Sequence, residues 1–163
     1  VTTADEVVRE LGRRGLTVAV AESLTGGLLV AELVSVPGAS AVVAGGVVAY
    51  QTPLKHQLLD VPADLLASRG AVDPDVAVAM AVGVRTALAV EGRVADVGLA
   101  TTGVAGPDPQ DGHEPGTVYV ALSAGGATRV TRLALEGDRA AIRSATVSES
   151  LSMLHDWVSG PRE

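Results

Sequence analysis

The sequence predicts an α/β fold, a three-layer α/β/α sandwich around a mixed, mainly parallel sheet with one C-terminal β-hairpin. Three observations predict it. Short runs of Val, Leu and Ala bounded by glycine or polar turns alternate with segments that carry helix start signals. Apolar strands without clear alternation need a helical layer on each face. Late in the chain, "TVYVALS" and "TRVTRLAL", joined through "AGGA", have the pattern of a β-hairpin.

Taken in order, "TADE" (Thr3 to Glu6) has the spacing of a capping box, and Val7, Val8 and Leu11 share one helical face. That first helix is expected to end near Gly15. "LTVAVA" reads as a buried strand, and the stretch from Gly26 to Leu33 as a helix interrupted by "SVPGAS". "GGVVAY" reads as a second strand. Pro53 starts a short helix with Lys55 and His56 in its first turn, and "VPADLLASRG" forms another. Asp73 as N-cap and Pro74 at the first position open a long Ala-rich helix expected to end before Gly92. "ADVGLATTG" is a strand, "VAGPDPQDGHEPG" an irregular loop, and Asp138 the cap of a last helix running to about Val158.

A chain of 163 residues is expected to form one compact domain over 1–163, and no repeat or linker divides it. Its apolar stretches are broken well before the ~20 residues that span a bilayer. The polar, acidic start "VTTADEVVRE" lacks the order of a secretory signal and cysteine is absent, so a cytoplasmic location is expected. The net charge of −7 argues against nucleic acid as a partner. Tyr50, Tyr119 and Trp157 are the only aromatics, too few for base-stacking platforms. A small polar ligand fits this composition better.

Two turns carry hydroxyls and glycines at strand ends, where open α/β sheets collect ligands. "AESLTGG" offers Glu22, Ser23, Thr25, Gly26 and Gly27; "ATTGVAGPD" offers Thr101, Thr102, Gly103 and Gly106. Neither is a P-loop or a dinucleotide-binding glycine pattern. Ser23 also lacks the flanking glycines of an esterase nucleophile elbow. By spacing alone, Ser23 and Thr25 could equally be helix caps. His56, His113 and His155 are too dispersed for a paired ligand motif, and no metal site is expected. Lys55 is the single lysine beside eleven arginines. A partly buried lysine can give up its proton near neutral pH, which arginine cannot.

In order, "AESLTGG", "VPGAS", "GGVVAYQTPLK", "GAV", "TGVAGPD", "GTVYVAL" and "GDR" resemble the CinA C-terminal domain family across about 120 residues. The characterised enzymatic members of that family are nicotinamide-nucleotide amidohydrolases. The resemblance implies an α/β/α sandwich, a homodimer and a cofactor-free, metal-free hydrolysis. In that reaction nicotinamide mononucleotide yields nicotinate mononucleotide and ammonia, a step of pyridine nucleotide salvage. It also implies site residues. Ser23 matches the expected nucleophile, and Tyr50 and Lys55 match the family's tyrosine and lysine, either of which could move the proton. Thr25, Gly26 and Gly27 would serve the substrate phosphate or the oxyanion, with Glu22 beside them. Ser40, Thr102 and Gly103 match further substrate-binding positions, and Arg139 in "GDR" matches a phosphate-binding arginine.

The chain departs from the family pattern in places. Leu24 stands where many members carry cysteine, which leaves serine as the reactive group. "GPDPQDGHEPG" differs from the common Gly-rich, Lys-containing loop. Many members also carry an N-terminal pyrophosphatase domain; the chain begins just before the amidohydrolase unit, so that activity is expected to be absent. A non-catalytic nucleotide-binding or interaction module, and an amidase for another small amide, are the competing readings.

Overall fold

The computed structural model describes residues 2–161. Helix α1 (Ala4–Arg14) opens on the expected reciprocal cap between Thr3 and Glu6 and closes on Gly15, whose φ of 65° supplies the left-handed end. Strand β1 (Val18–Glu22) is buried along its whole length. Helix α2 (Leu28–Val34) starts later than the apolar pattern suggests, because Gly26 and Gly27 have φ of 57° and 102° and cannot join a right-handed helix. A 3₁₀ turn (Ala39–Ala41) leads into β2 (Val43–Val48).

Three helices follow: α3 (Thr52–Leu59), α4 (Ala63–Arg69) and α5 (Pro74–Ala87). Asp73 caps α5 through the N–H groups of Asp75 and Val76, with Pro74 in the first turn as the sequence predicts. Strand β3 (Val97–Gly103) then enters the centre of the sheet. Strands β4 (Thr117–Ala124) and β5 (Ala127–Ala134) form the hairpin, turning through Gly125 and Gly126. Helix α6 (Arg139–Ser159) completes the described chain, capped by Asp138.

The sheet order is β2-β1-β3-β4-β5. β1 pairs in parallel with β2 and β3, while β4 runs antiparallel to both β3 and β5. Alternation along the central strands divides the core in two. Val18 and Val20 of β1, with Val97 and Leu99 of β3, pack under α1, α2 and α6. Ala19, Ala21 and Ala100 pack on the other face beneath α3, α4 and α5. The three-layer expectation is therefore met, with α layers on both faces of the sheet.

The second face is unusually close-packed. A Cβ on Gly98 of β3 would overlap the Ala81 carbonyl of α5, and one on Gly83 of α5 would overlap the Leu59 carbonyl of α3. Glycine at these two points lets α5 lie against the sheet and α3 lie against α5. That approach brings the first turn of α3 toward the C-terminal end of β1.

Candidate active site

Beyond β1 the chain keeps the strand direction for one residue, and the Ser23 N–H donates to the Thr101 carbonyl at 3.1 Å. By alternation Ser23 shares the face of Ala19 and Ala21, whereas Glu22 points to the opposite layer. Lys55, in α3, comes up beneath Ser23. Its Nζ lies 2.9 Å from Ser23 Oγ, 2.7 Å from the Ala49 carbonyl and 3.4 Å from the Tyr50 carbonyl.

Lys55 is completely buried, and among the described residues no carboxylate is within ion-pair distance of it. Loss of hydration disfavours its charged form and lowers the amine from the ordinary 10.5 to about 8, while the Asp111 carboxylate opposes the fall. The three neighbours suit both protonation states. An ammonium can donate to all three oxygens; a neutral amine can donate to the two carbonyls and accept the Ser23 hydroxyl proton. The arrangement can therefore hold a serine beside a base of near-neutral pKa without a histidine.

Ser23 opens onto a cleft of about 690 Å³. Tyr50, Gln51, Thr52 and Pro53 form one wall, Ala71 and Val72 another, and residues 102–110 a third. This volume falls in the range of small-ligand sites, ~300–1,000 Å³. The Thr102 hydroxyl donates to the Ala71 carbonyl at 2.7 Å, tying β3 to the turn before α5. From the other side, the Asp111 carboxylate accepts from the Ala71 N–H at 3.2 Å, so the irregular loop is pinned to the same residue. At the rim, Arg139 donates to the Gly106 carbonyl at 2.6 Å and to the Tyr50 hydroxyl at 3.0 Å. Tyr50 thus meets Lys55 through its backbone and Arg139 through its phenol.

Of the residues singled out in the sequence, Ser23, Tyr50, Thr102, Gly103, Gly106 and Arg139 line the cleft, and Lys55 reaches it through Ser23. Others sit elsewhere. The Glu22 carboxylate is fully buried under α2, where its two oxygens accept from the N–H groups of Leu29 (2.9 Å) and Val30 (3.1 Å). The positive end of that helix is thus already occupied by an internal anion. Thr25 is likewise buried, its hydroxyl 2.8 Å from that of Thr101. Gly26 and Gly27 shape the turn and do not line the cleft. Ser40 is exposed in the 3₁₀ turn that precedes β2, at the opposite end of the parallel strands from Ser23. A strand's length separates it from the cleft.

Two contributors escaped the sequence reading. Arg143 binds the carbonyls of Leu24 (2.8 Å) and Thr25 (3.3 Å), and Asp111 holds the loop. Arg143 lies four residues beyond Arg139 in a capped helix, so a shared face was readable in principle. Its target was not.

Comparison with known proteins bears on the family and the fold. The model of the CinA C-terminal domain matches residues 1–158. A competence-damage inducible protein of Desulforamulus reducens is 48% identical over 146 residues, 90% of this chain and 34% of that protein. A CinA-like protein of Frankia casuarinae is 45% identical over 150 residues, 92% of this chain and 34% of that protein. The chain thus spans about a third of the length of these curated relatives. Among solved structures, a competence-damaged protein (CinA) superfamily protein from Klebsiella pneumoniae superposes with a TM-score of 0.89 at 32% identity. That likeness covers 96% of this chain and 95% of the Klebsiella chain. With a family match over residues 1–158 and a fold that superposes on a solved member at a TM-score of 0.89, the chain belongs to the CinA C-terminal domain family.

Proposed function

We propose that the chain hydrolyses the carboxamide of nicotinamide mononucleotide to nicotinate mononucleotide and ammonia, with Ser23 as nucleophile and Lys55 as base. The observation that carries this reading is the 2.9 Å approach of Lys55 Nζ to Ser23 Oγ at the floor of the cleft. A serine is a poor nucleophile while protonated, and an adjacent base of near-neutral pKa relieves that. Lys55 is favoured over Tyr50 for this role because the Tyr50 phenol is engaged by Arg139 at the rim.

Ser23 Oγ bonds to the carboxamide carbon as its proton passes to Lys55 Nζ, and the carbonyl electron pair moves onto oxygen. Collapse of this tetrahedral adduct breaks the C–N bond. The Lys55 ammonium returns the proton to the nitrogen, which leaves as ammonia. Water then attacks the serine ester, giving one proton to Lys55; collapse of the adduct returns that proton to Ser23 Oγ, and the product leaves as the carboxylic acid, which gives up the second water proton to solvent. The protons exchanged with Ser23 Oγ and the leaving nitrogen are held by Lys55 between steps. Arg139 uses two donors on Gly106 and Tyr50, and its remaining N–H groups are available for the substrate phosphate at the rim.

The test is direct: purified protein and nicotinamide mononucleotide are mixed in the presence of a chelator, and ammonia and nicotinate mononucleotide are measured. Stoichiometric appearance of both, abolished in Ser23→Ala, supports the assignment. Ligand-induced thermal stabilisation without turnover would overturn it in favour of a binding module. Turnover of a different amide would retain the chemistry and replace the substrate.

A further inference from the structure

We propose that Arg143 is a positioning residue that orients the Leu24–Thr25 peptide plane following Ser23 and so fixes one of the backbone N–H groups that receive the oxyanion. This role rests on the Ser23 reading above. Three successive carbonyls of the turn have defined partners. The Ser23 carbonyl accepts from the Gly26 N–H at 3.1 Å. The Leu24 carbonyl accepts from Arg143 Nε at 2.8 Å, and the Thr25 carbonyl from the Leu28 N–H at 3.0 Å and from Arg143 Nη2 at 3.3 Å. Gly26 makes room for this: a Cβ there would stand 3.1 Å from Nη2, and its φ of 57° is one that other residues rarely adopt.

The consequence follows from peptide geometry. In a trans peptide the N–H points opposite to the carbonyl that precedes it. The Leu24 N–H is therefore turned away from Gly26, and the Thr25 N–H away from Arg143. Neither has a hydrogen-bond acceptor among the described residues, whereas the Ser23 N–H is consumed by Thr101. The two amides immediately after the nucleophile are thus unused donors of the turn, as is the Gly27 N–H, and of these three residues Leu24 lines the cleft. Donors aimed in advance at a developing oxyanion need no reorganisation during reaction. Arg143 sets the second of them from a helix that begins more than a hundred residues later in the chain. Among the described residues Arg143 has no carboxylate within ion-pair distance, so its charge also favours a negative adduct at Ser23.

The experiment compares wild type, Ser23→Ala, Arg143→Lys and Arg143→Met in labelling by an alkyl fluorophosphonate, which forms a tetrahedral adduct on an activated serine. Binding of nicotinate mononucleotide is measured calorimetrically in parallel. Arg143→Met is expected to slow both labelling and kcat by roughly 100-fold, the scale of losing an oxyanion donor, with the product Kd unchanged. Arg143→Lys, with charge but no fork, recovers part of that loss; should the Met variant fail to fold, a loss of about fivefold or more in the Lys variant carries the test. Equal labelling of wild type and Arg143 variants, or a defect confined to Kd and KM, overturns the positioning role alone. Absence of labelling at Ser23 in the wild type overturns that role together with the serine assignment.

Discussion

Lys55 Nζ and Ser23 Oγ, from residues 32 apart in sequence, meet at 2.9 Å in a site where Lys55 has no solvent exposure. If the pair acts as base and nucleophile, replacing either should remove the chemistry and spare the cleft. Ser23→Ala and Lys55→Met are each expected to lower kcat at least ~1,000-fold, and the double variant to lose little more, because the two act as a unit. Lys55→Arg should not rescue, since a guanidinium does not release its proton in this pH range. Ammonia release under saturating substrate measures all four. Retention of more than a tenth of wild-type kcat in Ser23→Ala would sink the assignment.

The lowered pKa of Lys55 sets the pH dependence. Burial brings the amine to about 8, so kcat/KM should rise with pH as the neutral base accumulates and level off above that value. Because Lys55 is the only lysine, ¹³C-labelled lysine gives one side-chain signal whose titration reads this pKa without any assay. A signal that titrates near 10.5 would contradict the account. Stability carries the same signature with a fixed sign. The unfolded chain binds the proton more tightly, so burying Lys55 opposes folding below pH 8 and the opposition disappears as pH rises to 10.5. Denaturation of Lys55→Met, compared with wild type, should lose that contribution to the pH slope.

What the sequence makes legible here is what is local. The cap of α1 at Thr3 and Glu6, its end at Gly15 and the opening of α5 at Asp73 and Pro74 each depend on residues within one turn of each other. The order β2-β1-β3-β4-β5 depends on pairings between distant segments, which carry no local mark. The two hydroxyl-rich turns are visible as turns, yet the division of labour within them is not. Glu22 and Ser23 are neighbours, and only the alternation of β1 sends one beneath α2 and the other into the cleft. A strand buried on both faces conceals that alternation, because polar residues do not mark an outer side. Ser40 carries no local mark of its place either: its motif sits before β2, and only the parallel pairing of β1 and β2 puts it at the far end of the sheet from Ser23.

Asp111 gives a second handle on the same base. Its carboxylate pins the loop to Ala71 and opposes the fall in the Lys55 pKa. Asp111→Asn keeps an amide oxygen for the Ala71 N–H and removes the charge. The lysine signal should therefore titrate at lower pH, and the acid limb of kcat/KM should move down with it. Asp111 is exposed, so the displacement should shrink in high salt. Asp111→Ala should show the same displacement plus a raised KM, because the cleft wall loses its anchor. An unchanged lysine titration in both variants would show that Asp111 acts only through the loop.

Glu22 separates a structural carboxylate from a substrate contact. Both of its oxygens are used, Oε1 by the Leu29 N–H and Oε2 by the Val30 N–H, inside a fully buried site at the start of α2. Glu22→Gln keeps the size and replaces one acceptor by an amide that must face an N–H. Leaving a buried donor unmatched costs about 1–3 kcal/mol. For a chain of this size each kcal/mol lowers Tm by ~2–4 °C. The variant should therefore melt several degrees lower, while KM for the mononucleotide stays near the wild-type value at a temperature where both are folded. Calorimetry and initial rates decide the matter together. A large rise in KM with an unchanged Tm would return Glu22 to the substrate and contradict its burial beneath α2.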